Sequence, residues 1–257
     1  MTWNILLGGE TRFESIVEQA VAAKPDLLLL QECLGWDDRA RLSRLAEALG
    51  LPDDPRHAAL GLARPRGSGK RYHLAVLSRR PLDSLRSHAD PHFIGHALVE
   101  ARIGDLQVFA AHFDSHHENL RFVEARFLRS LLDPARFAAA PFLLAGDLNA
   151  LSRRDPYPAD LAARLAAAGT DKYGLPPRFE VVDEIEAMGW IDLLHAQGPP
   201  PRWITARRER GGVRIDYRTD YLFASPSLAA RRTSMEILDV RGASDHDAVV
   251  ADFAMDL

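Results

Sequence analysis

The chain has 257 residues, of which 47% are hydrophobic and 26% charged, and its formal net charge is -4 at pH 7. This composition is typical of an ordinary soluble globular protein and excludes the disordered and fibrous classes. The length is sufficient for a sizeable core, and no repeat or shift in composition divides the chain, so we expect one domain over residues 1–257. The net charge gives no global attraction to polyanions, so nucleic-acid binding would need a local basic patch.

Cysteine content and hydropathy lead us to expect a cytoplasmic protein. Cys33 is the only cysteine, so no intrachain disulfide can form, and a reducing compartment is favoured. No apolar run is long enough to form a membrane span. The segment Met1–Gly9 lacks the charged and apolar stretches of a signal peptide.

The N-terminal stretch predicts a strand followed by an amphipathic helix. Thr2–Leu7 is strand-like and contains one strongly polar side chain, Asn4. A buried asparagine needs partners, so Asn4 is either a structural hydrogen-bonding residue or a ligand. Thr11–Lys24 has the apolar period of a helix, and Thr11 and Glu14 have the spacing of a capping box.

A run of leucines then leads into the first candidate carboxylate. Asp26–Leu30 predicts a buried strand that delivers Glu32 at its end. A second helix is predicted over Asp38–Leu49, where Gly50 and Pro52 stop it. Glu32 is either an ordinary charge at a strand end or a functional carboxylate, and the recurrence of the same arrangement later in the chain favours the second interpretation.

The middle of the chain predicts three strands and a helix. The strands lie near His73–Ser78, Ala97–Ile103 and Leu106–Ala111, and the last of them ends at His112. A helix is predicted over Glu118–Leu132. Its apolar residues are predicted to face inward: Leu120, Val123, Phe127, Leu128 and Leu131.

Another apolar strand, Pro141–Leu144, runs into a carboxylate and a carboxamide that are two residues apart, Asp147 and Asn149. In an extended stretch, residues i and i+2 point to the same side, so these two side chains can reach one metal ion or one phosphate. The alternative is an Asp-x-Asn turn that hydrogen-bonds to its own backbone.

In the last third of the chain the order of strand and polar residue reverses. Helices are predicted over Pro158–Ala168 and Glu180–Met188, and a short strand over Trp190–Leu194. Asp220 and the pair Asp245–His246 then stand before apolar strands. Strands that leave the edge at which other strands arrive run antiparallel to them, so all these polar side chains can gather at one sheet edge.

Two segments concentrate positive charge. Arg64–Arg71 has four basic residues and no acid, and Arg202–Arg218 has six arginines with two acids. Each segment is either a solvated loop or an arm that grips a phosphate backbone.

Together these patterns resemble the endonuclease/exonuclease/phosphatase superfamily, whose fold is DNase I-like. The matching motifs occur in order between residues 3 and 246: Trp3-Asn4-Ile5, Gln31-Glu32, His112, Gly146-Asp147-Leu148-Asn149, Asp220-Tyr221-Leu222-Phe223 and Ser244-Asp245-His246. The resemblance implies an α/β fold, a four-layer α/β/β/α sandwich of two mostly antiparallel sheets. It also implies a Mg²⁺-dependent phosphoesterase site at one sheet edge, where Mn²⁺ could substitute.

The resemblance further implies which residues hold the metal and the attacking water. Glu32 would bind the metal, assisted by Asn4 and Asp245. Asp147 would orient or deprotonate the water, and Asn149 would hold the phosphate or the nucleophile.

The remaining implied roles concern histidines. His112 would bind the phosphate, and His246 would stabilise the pentacovalent transition state. Asp220 would fix the tautomer and charge of His246. Asp216-Tyr217 offers a second Asp-Tyr pair, so Asp216 is the alternative partner of His246.

Four residues outside the motifs are candidates for substrate contact. They lie in segments that flank the motifs: His73, His116, Arg153 and Tyr157. The alternative for each is a surface or structural role.

The motifs predict a Mg²⁺-dependent phosphodiester hydrolase that uses in-line attack by water, and the basic segments favour an endo- or exonuclease. The acidic overall balance favours the alternative, a phosphoesterase that acts on a small phosphoester, a nucleotide or a phospholipid headgroup. The expected partner is therefore nucleic acid or a small phosphoester. A non-catalytic binding module is disfavoured, because every expected catalytic residue is present.

Overall fold

Short apolar runs form most of the strands of the computed structural model, which describes residues 1–65, 69–196, 198–240 and 242–255. The strands are β1 (Thr2–Asn4), β2 (Leu27–Leu34), β3 (Ala58–Gly61), β4 (Tyr72–Ser78), β5 (Ser84–His88), β6 (Ala97–Ile103), β7 (Leu106–His112), β8 (Phe142–Asp147), β9 (Ile191–Asp192), β10 (Ala206–Arg210), β11 (Val213–Tyr217), β12 (Asp220–Ala224), β13 (Arg232–Leu238) and β14 (Ala248–Phe253). The helices are α1 (Phe13–Ala23), α2 (Ala40–Ala48), α3 (Glu118–Leu131), α4 (Pro134–Ala139), α5 (Leu161–Ala167), α6 (Glu180–Ala187) and α7 (Pro226–Ala229).

Within these ranges, most strands belong to two mixed six-stranded sheets. One sheet has the order β13-β14-β1-β2-β4-β3, and the other has the order β5-β6-β7-β8-β12-β9. Each contains one parallel pair, β1 with β2 and β7 with β8, while the other neighbours run antiparallel. Strands β10 and β11 form a separate antiparallel hairpin.

The two sheets pack face to face, and helices cover their outer faces. In β2, Leu28 and Leu30 pack towards α1 and α2, whereas Leu27 and Leu29 pack towards the second sheet. A strand buried on both faces needs apolar residues at every position, which explains the run of leucines. The outer face of the second sheet packs against α3 and α6. This architecture confirms the predicted four-layer sandwich.

The start of α1 differs from the prediction. A 3-10 segment, Leu7–Arg12, precedes the helix, which begins at Phe13 with Arg12 as its N-cap and without a side-chain capping bond. The predicted capping box at Thr11 and Glu14 is therefore wrong. The cause is the sharply turned backbone after β1, which keeps the chain out of helical geometry until residue 13.

Helix α3 buries only part of the predicted face: Leu128 is buried and Phe127 and Leu131 pack against the core as predicted. Leu120 and Val123 are 44% and 36% exposed, whereas Glu118, Arg121 and Glu124 are buried. Burial of the three charged residues is compensated by hydrogen bonds: Arg121 pairs with Glu118 and donates to a loop carbonyl, and Glu124 accepts two backbone N–H groups of neighbouring loops. Apolar periodicity alone does not reveal such a face.

None of the helices in the described ranges combines the length and the apolar character that crossing a bilayer requires.

Gly146 allows β8 to approach β7 closely, one residue before Asp147. Its φ is 140°, and a Cβ at this position would lie 1.9 Å from the carbonyl oxygen of Ala111. We therefore expect Gly146→Ala to lower the free energy of unfolding by at least about 3 kcal/mol, as measured by urea denaturation. Gly50→Ala is the matched control: its φ is 68° but the space around it is open, so its cost should be about 1 kcal/mol. Equal losses in the two variants would contradict the steric argument.

Candidate active site

Strand register brings the polar strand-end residues to one edge of the paired sheets. Asp147, the last residue of β8, is opposite Asp220, the first residue of the antiparallel β12. It is also in register with His112 at the end of the parallel β7. In the other sheet, Asn4 ends β1, and Asp245–His246 precede β14. Contacts between these groups define the candidate site.

His246 and Asp220 form a buried hydrogen-bonded pair. His246 Nδ1 lies 2.8 Å from Asp220 Oδ2, and the same oxygen accepts a hydrogen bond from the Thr205 hydroxyl at 2.7 Å. His246 Nε2 lies 4.0 Å from both Asp147 Oδ2 and Asp245 Oδ1. The ring is thus held by one carboxylate and turned towards two others.

The charge of this pair is best placed on the imidazole. Burial alone would lower the pKa of His246, but the charge of Asp220 and its hydrogen bond raise that pKa to about 10. Burial has the opposite effect on the carboxyl group and raises the pKa of Asp220, although the ion pair with His246 on its own would lower that pKa. We place the proton on His246, because a hydroxyl already donates to Asp220 and two further carboxylates lie near the ring.

Asn4 connects the two carboxylates that face each other across the sheets. Its Nδ2 donates to Asp147 Oδ2 at 3.0 Å and to Glu32 Oε1 at 3.2 Å. Its Oδ1 accepts the backbone N–H of Leu6 at 3.0 Å. The carboxamide therefore presents its N–H groups to the site, and this orientation does not favour the predicted assistance of Asn4 in metal binding.

Asp147 is the centre of the group. Its Oδ1 accepts the backbone N–H of Asn149 at 2.8 Å, which is the Asp-x-Asn turn weighed from the sequence, and the turn coexists with the site contacts. His112 Nε2 lies 3.8 Å from Asp147 Oδ2. Burial alone would raise the pKa of Asp147, but the charges of His246 and Lys172 lower it, so the carboxylate is ionised at neutral pH.

His112 is a neutral ring in a fixed orientation. Burial lowers its pKa, and its ring stacks on that of His96 with centroids 4.4 Å apart and planes at 8°. Its Nδ1 is buried and has no hydrogen-bond partner among the residues that the structure describes.

The donor set at this edge fits a hard divalent cation such as Mg²⁺, which prefers carboxylate oxygen. Glu32 and Asp245 are half-buried, and Asp245 Oδ1 has no hydrogen-bond partner among the described residues. Asp147, Asp220 and His246 also offer ligand atoms within 4.8 Å of one another. Within these three residues, His246 Nδ1 and Asp220 Oδ2 already hydrogen-bond to each other. The ion therefore fits better beside Glu32 and Asp245.

Asp216, the alternative partner of His246, lies elsewhere. It is on β11, where its Oδ1 accepts a hydrogen bond from Arg214 Nε at 3.0 Å. Asp220 is the carboxylate that contacts His246.

Two of the predicted substrate-contact residues have their polar groups engaged within the protein. His73 is fully buried, with Nε2 3.0 Å from Asp37 and Nδ1 accepting the N–H of Ala63. Tyr157 donates its hydroxyl to Asp155 at 3.2 Å. Neither placement supports substrate contact, because the groups that would bind substrate already have partners.

The other two predicted contact residues are exposed. Arg153 forms an ion pair with Asp183 at 2.8 Å, and the Nδ1 of His116 lies 2.8 Å from the hydroxyl of Ser115. Arg153 is directed to α6 rather than to Asp147, whereas His116 remains accessible on the loop that follows His112.

The second basic segment is largely neutralised. Four of its six arginines form ion pairs: Arg202 and Arg207 with Asp247, Arg214 with Asp216, and Arg218 with Asp155 and Asp192. Arg208 and Arg210 have no ion pair with the described part of the chain. The first basic segment, Arg64–Arg71, lies partly outside the described residues, at 66–68.

Sequence reasoning missed Lys172 and Thr205. Lys172 Nζ donates to Asn149 Oδ1 at 2.6 Å, and Thr205 supplies the hydroxyl that contacts Asp220. Lys172 lies in a stretch without apolar periodicity and outside the motifs, so no pattern in the sequence marked it.

The sandwich and its edge of carboxylates and histidines define a hydrolase that acts on phosphoester bonds. The model of the Endonuclease/Exonuclease/phosphatase family matches residues 1–246, and the chain belongs to this family. A search of curated protein sequences gave no match.

Solved structures share the fold over almost the whole chain. An AP endonuclease from Archaeoglobus fulgidus is 18% identical with a TM-score of 0.69, covering 99% of this chain and 98% of its own. The 3' phosphatase NExo from Neisseria, bound to product DNA hairpin, is 18% identical with a TM-score of 0.70 and covers 99% and 98%. An endonuclease/exonuclease/phosphatase from Beutenbergia cavernae is 20% identical with a TM-score of 0.64 and covers 97% and 69%. At these identities the likeness shows the fold.

Proposed function

We propose that this protein is a Mg²⁺-dependent phosphodiester hydrolase that cleaves nucleic acid, with water as the nucleophile. The observation that carries the proposal is the array in which Asp220 holds His246 at 2.8 Å and His246 faces the ionised Asp147 at 4.0 Å. A charged donor close to an anionic acceptor suits an attack on phosphorus, in which a water loses a proton and negative charge builds up on the phosphoryl oxygens.

In this mechanism Asp147 orients the water and accepts one of its protons. The bond from the water oxygen to phosphorus forms as the bond to the leaving oxygen breaks. The leaving oxygen takes a proton from solvent water and Asp147 returns its proton to solvent, so one water is consumed per ester. His246 donates from Nε2 to a phosphoryl oxygen as charge accumulates there, and Asp220 keeps the ring charged and oriented. His112 binds a second phosphoryl oxygen.

Glu32 and Asp245 would hold the divalent cation, which when bound polarises the phosphoryl oxygen and lowers the pKa of a bound water. Mn²⁺ would replace Mg²⁺ there, because it also accepts carboxylate ligands.

Nucleic acid is the preferred substrate because the basic hairpin of β10 and β11 lies beside the site, where Ala206 bridges to His246. Two of the related folds belong to an AP endonuclease and to a 3' phosphatase bound to a DNA product. A small phosphoester, such as a nucleotide or a phospholipid headgroup, is the second candidate. The neutralisation of four hairpin-region arginines by neighbouring acids favours it, since few free cations remain to follow a long backbone.

The first test separates these substrates and checks the metal. Purified protein would be incubated with plasmid DNA, single-stranded DNA, RNA, bis(p-nitrophenyl) phosphate and p-nitrophenyl phosphate, each with Mg²⁺, Mn²⁺ or EDTA. We expect EDTA to remove at least about 99% of the hydrolysis and added Mg²⁺ to restore it. Cleavage of polymers supports the nuclease, and cleavage of small esters alone supports the second candidate. Hydrolysis that persists in EDTA would contradict the metal requirement.

A further inference from the structure

We infer that Lys172 is a further catalytic residue, whose ammonium group binds a phosphoryl oxygen of the substrate beside Asn149. This inference rests on the proposed phosphodiesterase function and adds a residue to its site.

The first observation is how Asn149 is held. Its Nδ2 donates to the carbonyl oxygen of Phe113 at 3.0 Å, and its Oδ1 accepts from Lys172 Nζ at 2.6 Å. Both ends of the carboxamide are therefore engaged by the protein. The Lys172 ammonium has three N–H groups and uses one of them on Asn149. It is therefore the group beside Asn149 that can still donate to a phosphoryl oxygen.

The second observation is the charge around Lys172. The side chain is half-buried, and no carboxylate in the described ranges forms an ion pair with it. Burial lowers its pKa to about 8, while the charge of Asp147 opposes this shift. A partly desolvated cation without a paired anion is costly, so its persistence beside the catalytic carboxylate suits a site that receives an anion.

The third observation is that Lys172 is fixed in place. The buried Arg121 donates to the carbonyl oxygen of Lys172 and pairs with Glu118 at 2.6 Å. The Arg121 guanidinium also lies 5.6 Å from the ring centroid of Tyr173, which packs edge-on against Tyr217. The charged face of α3 thus holds the backbone of Lys172, which reduces the reorganisation needed when charge develops on phosphate.

A second cation lies on the same side of the site. Arg208 of β10 lines a cavity together with Lys172, Tyr173 and Tyr217. Burial would lower the pKa of Arg208, but Tyr217 and Tyr173 and, to a smaller extent, the carboxylates of Asp245 and Asp147 raise it, so the guanidinium keeps its charge. A phosphate that binds Lys172 would therefore have a second positive charge nearby.

The test compares Lys172→Met, Lys172→Gln and Lys172→Arg with the wild type. Glutamine keeps a donor for Asn149 but removes the charge, and arginine keeps the charge. Lys24→Met, the same change at an exposed lysine at the C-terminal end of α1, is the matched control. The measurements are kcat and KM with bis(p-nitrophenyl) phosphate and Mg²⁺, and the inhibition constant of orthophosphate, with circular dichroism to check folding.

We expect kcat to fall about 100-fold in Lys172→Met and Lys172→Gln, and orthophosphate inhibition to weaken about 10-fold in both. Lys172→Arg should recover part of the orthophosphate affinity, and Lys24→Met should match the wild type. A folded Lys172→Gln with unchanged orthophosphate affinity would overturn the inference, because Lys172 would then only support Asn149.

The two proposals fail in different ways. If the wild type hydrolyses no phosphoester, the proposed function fails, and direct calorimetric binding of orthophosphate with Mg²⁺ still tests Lys172. In that case weaker binding in both uncharged variants would support the inference, and absent binding by the wild type or equal binding in all proteins would overturn it. If hydrolysis is intact in the wild type and unchanged in the variants, the inference about Lys172 alone fails.

Discussion

Replacing Asp147 with asparagine is expected to lower kcat for phosphoester hydrolysis by about 1000-fold. The Asp147 carboxylate can accept a proton from water, and it is held in place by hydrogen bonds from Asn4 and from the backbone N–H of Asn149. Among the described residues, no other group at the centre of the site combines these properties. Asparagine has the same shape but no negative charge, so it cannot accept the proton. Its side-chain NH₂ would also face a group that donates, either Asn4 Nδ2 or the backbone N–H of Asn149. Steady-state kinetics with Mg²⁺ and bis(p-nitrophenyl) phosphate would measure the change.

The matched control for this variant is Asp105→Asn, which makes the same chemical change at an exposed turn between β6 and β7. Its kcat should equal that of the wild type. Urea denaturation should show that Asp147→Asn remains folded, so that the loss is catalytic. A folded Asp147→Asn enzyme with more than a tenth of wild-type kcat would refute the assigned role of Asp147.

Replacing Asp220 with asparagine is expected to lower kcat at pH 8 by about 100- to 10,000-fold, in line with the loss seen when the carboxylate that orients a catalytic histidine is neutralised. Asp220 accepts from His246 Nδ1 at 2.8 Å and keeps the ring charged. The matched control is Asp216→Asn, the other Asp-Tyr position, which pairs with the exposed Arg214 and should keep full activity. Equal activity of the two variants would show that His246 does not depend on Asp220.

The pH profile adds a second measurement of the same pair. The pKa of His246 is raised from its ordinary 6.5 to about 10, so in the wild type the charged ring persists through neutral pH and is lost as pH rises through about 10. Without the Asp220 carboxylate, that pKa should fall towards 6.5, and the remaining activity should decline on raising pH through that lower value. The raised pKa also means that protonation of His246 stabilises the fold fully below pH 6.5, a contribution that disappears as pH approaches 10. A variant with an unchanged alkaline limb would contradict this account.

The sequence alone was sufficient to predict most strands and the edge at which the chemistry lies. Continuous apolar runs before Glu32 and Asp147 indicated strands buried on two faces. Asp147 does end its strand, in register with His112, whereas Glu32 lies at an irregularity within β2, which continues to Leu34. Five strands escaped prediction: β3, β5 and β13 at sheet edges, and β10 and β11 in the separate hairpin. Their sequences are partly exposed or mixed, so apolar periodicity is weak there. The charged face of α3 escaped prediction for a related reason, because burial there depends on hydrogen bonds to distant loops.

The contacts of the individual candidates depended on the tertiary structure. His73 and Tyr157 carry the same chemical groups as true substrate contacts, but their polar atoms are satisfied by Asp37, Ala63 and Asp155. The six arginines of residues 202–218 look like a basic arm in sequence, yet half of them are paired with acids that are distant along the chain.

The sequence by itself determined the family, the sandwich of two sheets and the set of polar residues at one edge, because apolar runs and short motifs are local and are written directly in the chain. Tertiary structure decided that Asp220 rather than Asp216 holds His246, that Asn4 joins Glu32 to Asp147, and that Lys172 reaches Asn149. These last facts are distances between residues far apart along the chain, which follow only from strand register and loop packing and from no local pattern of residues.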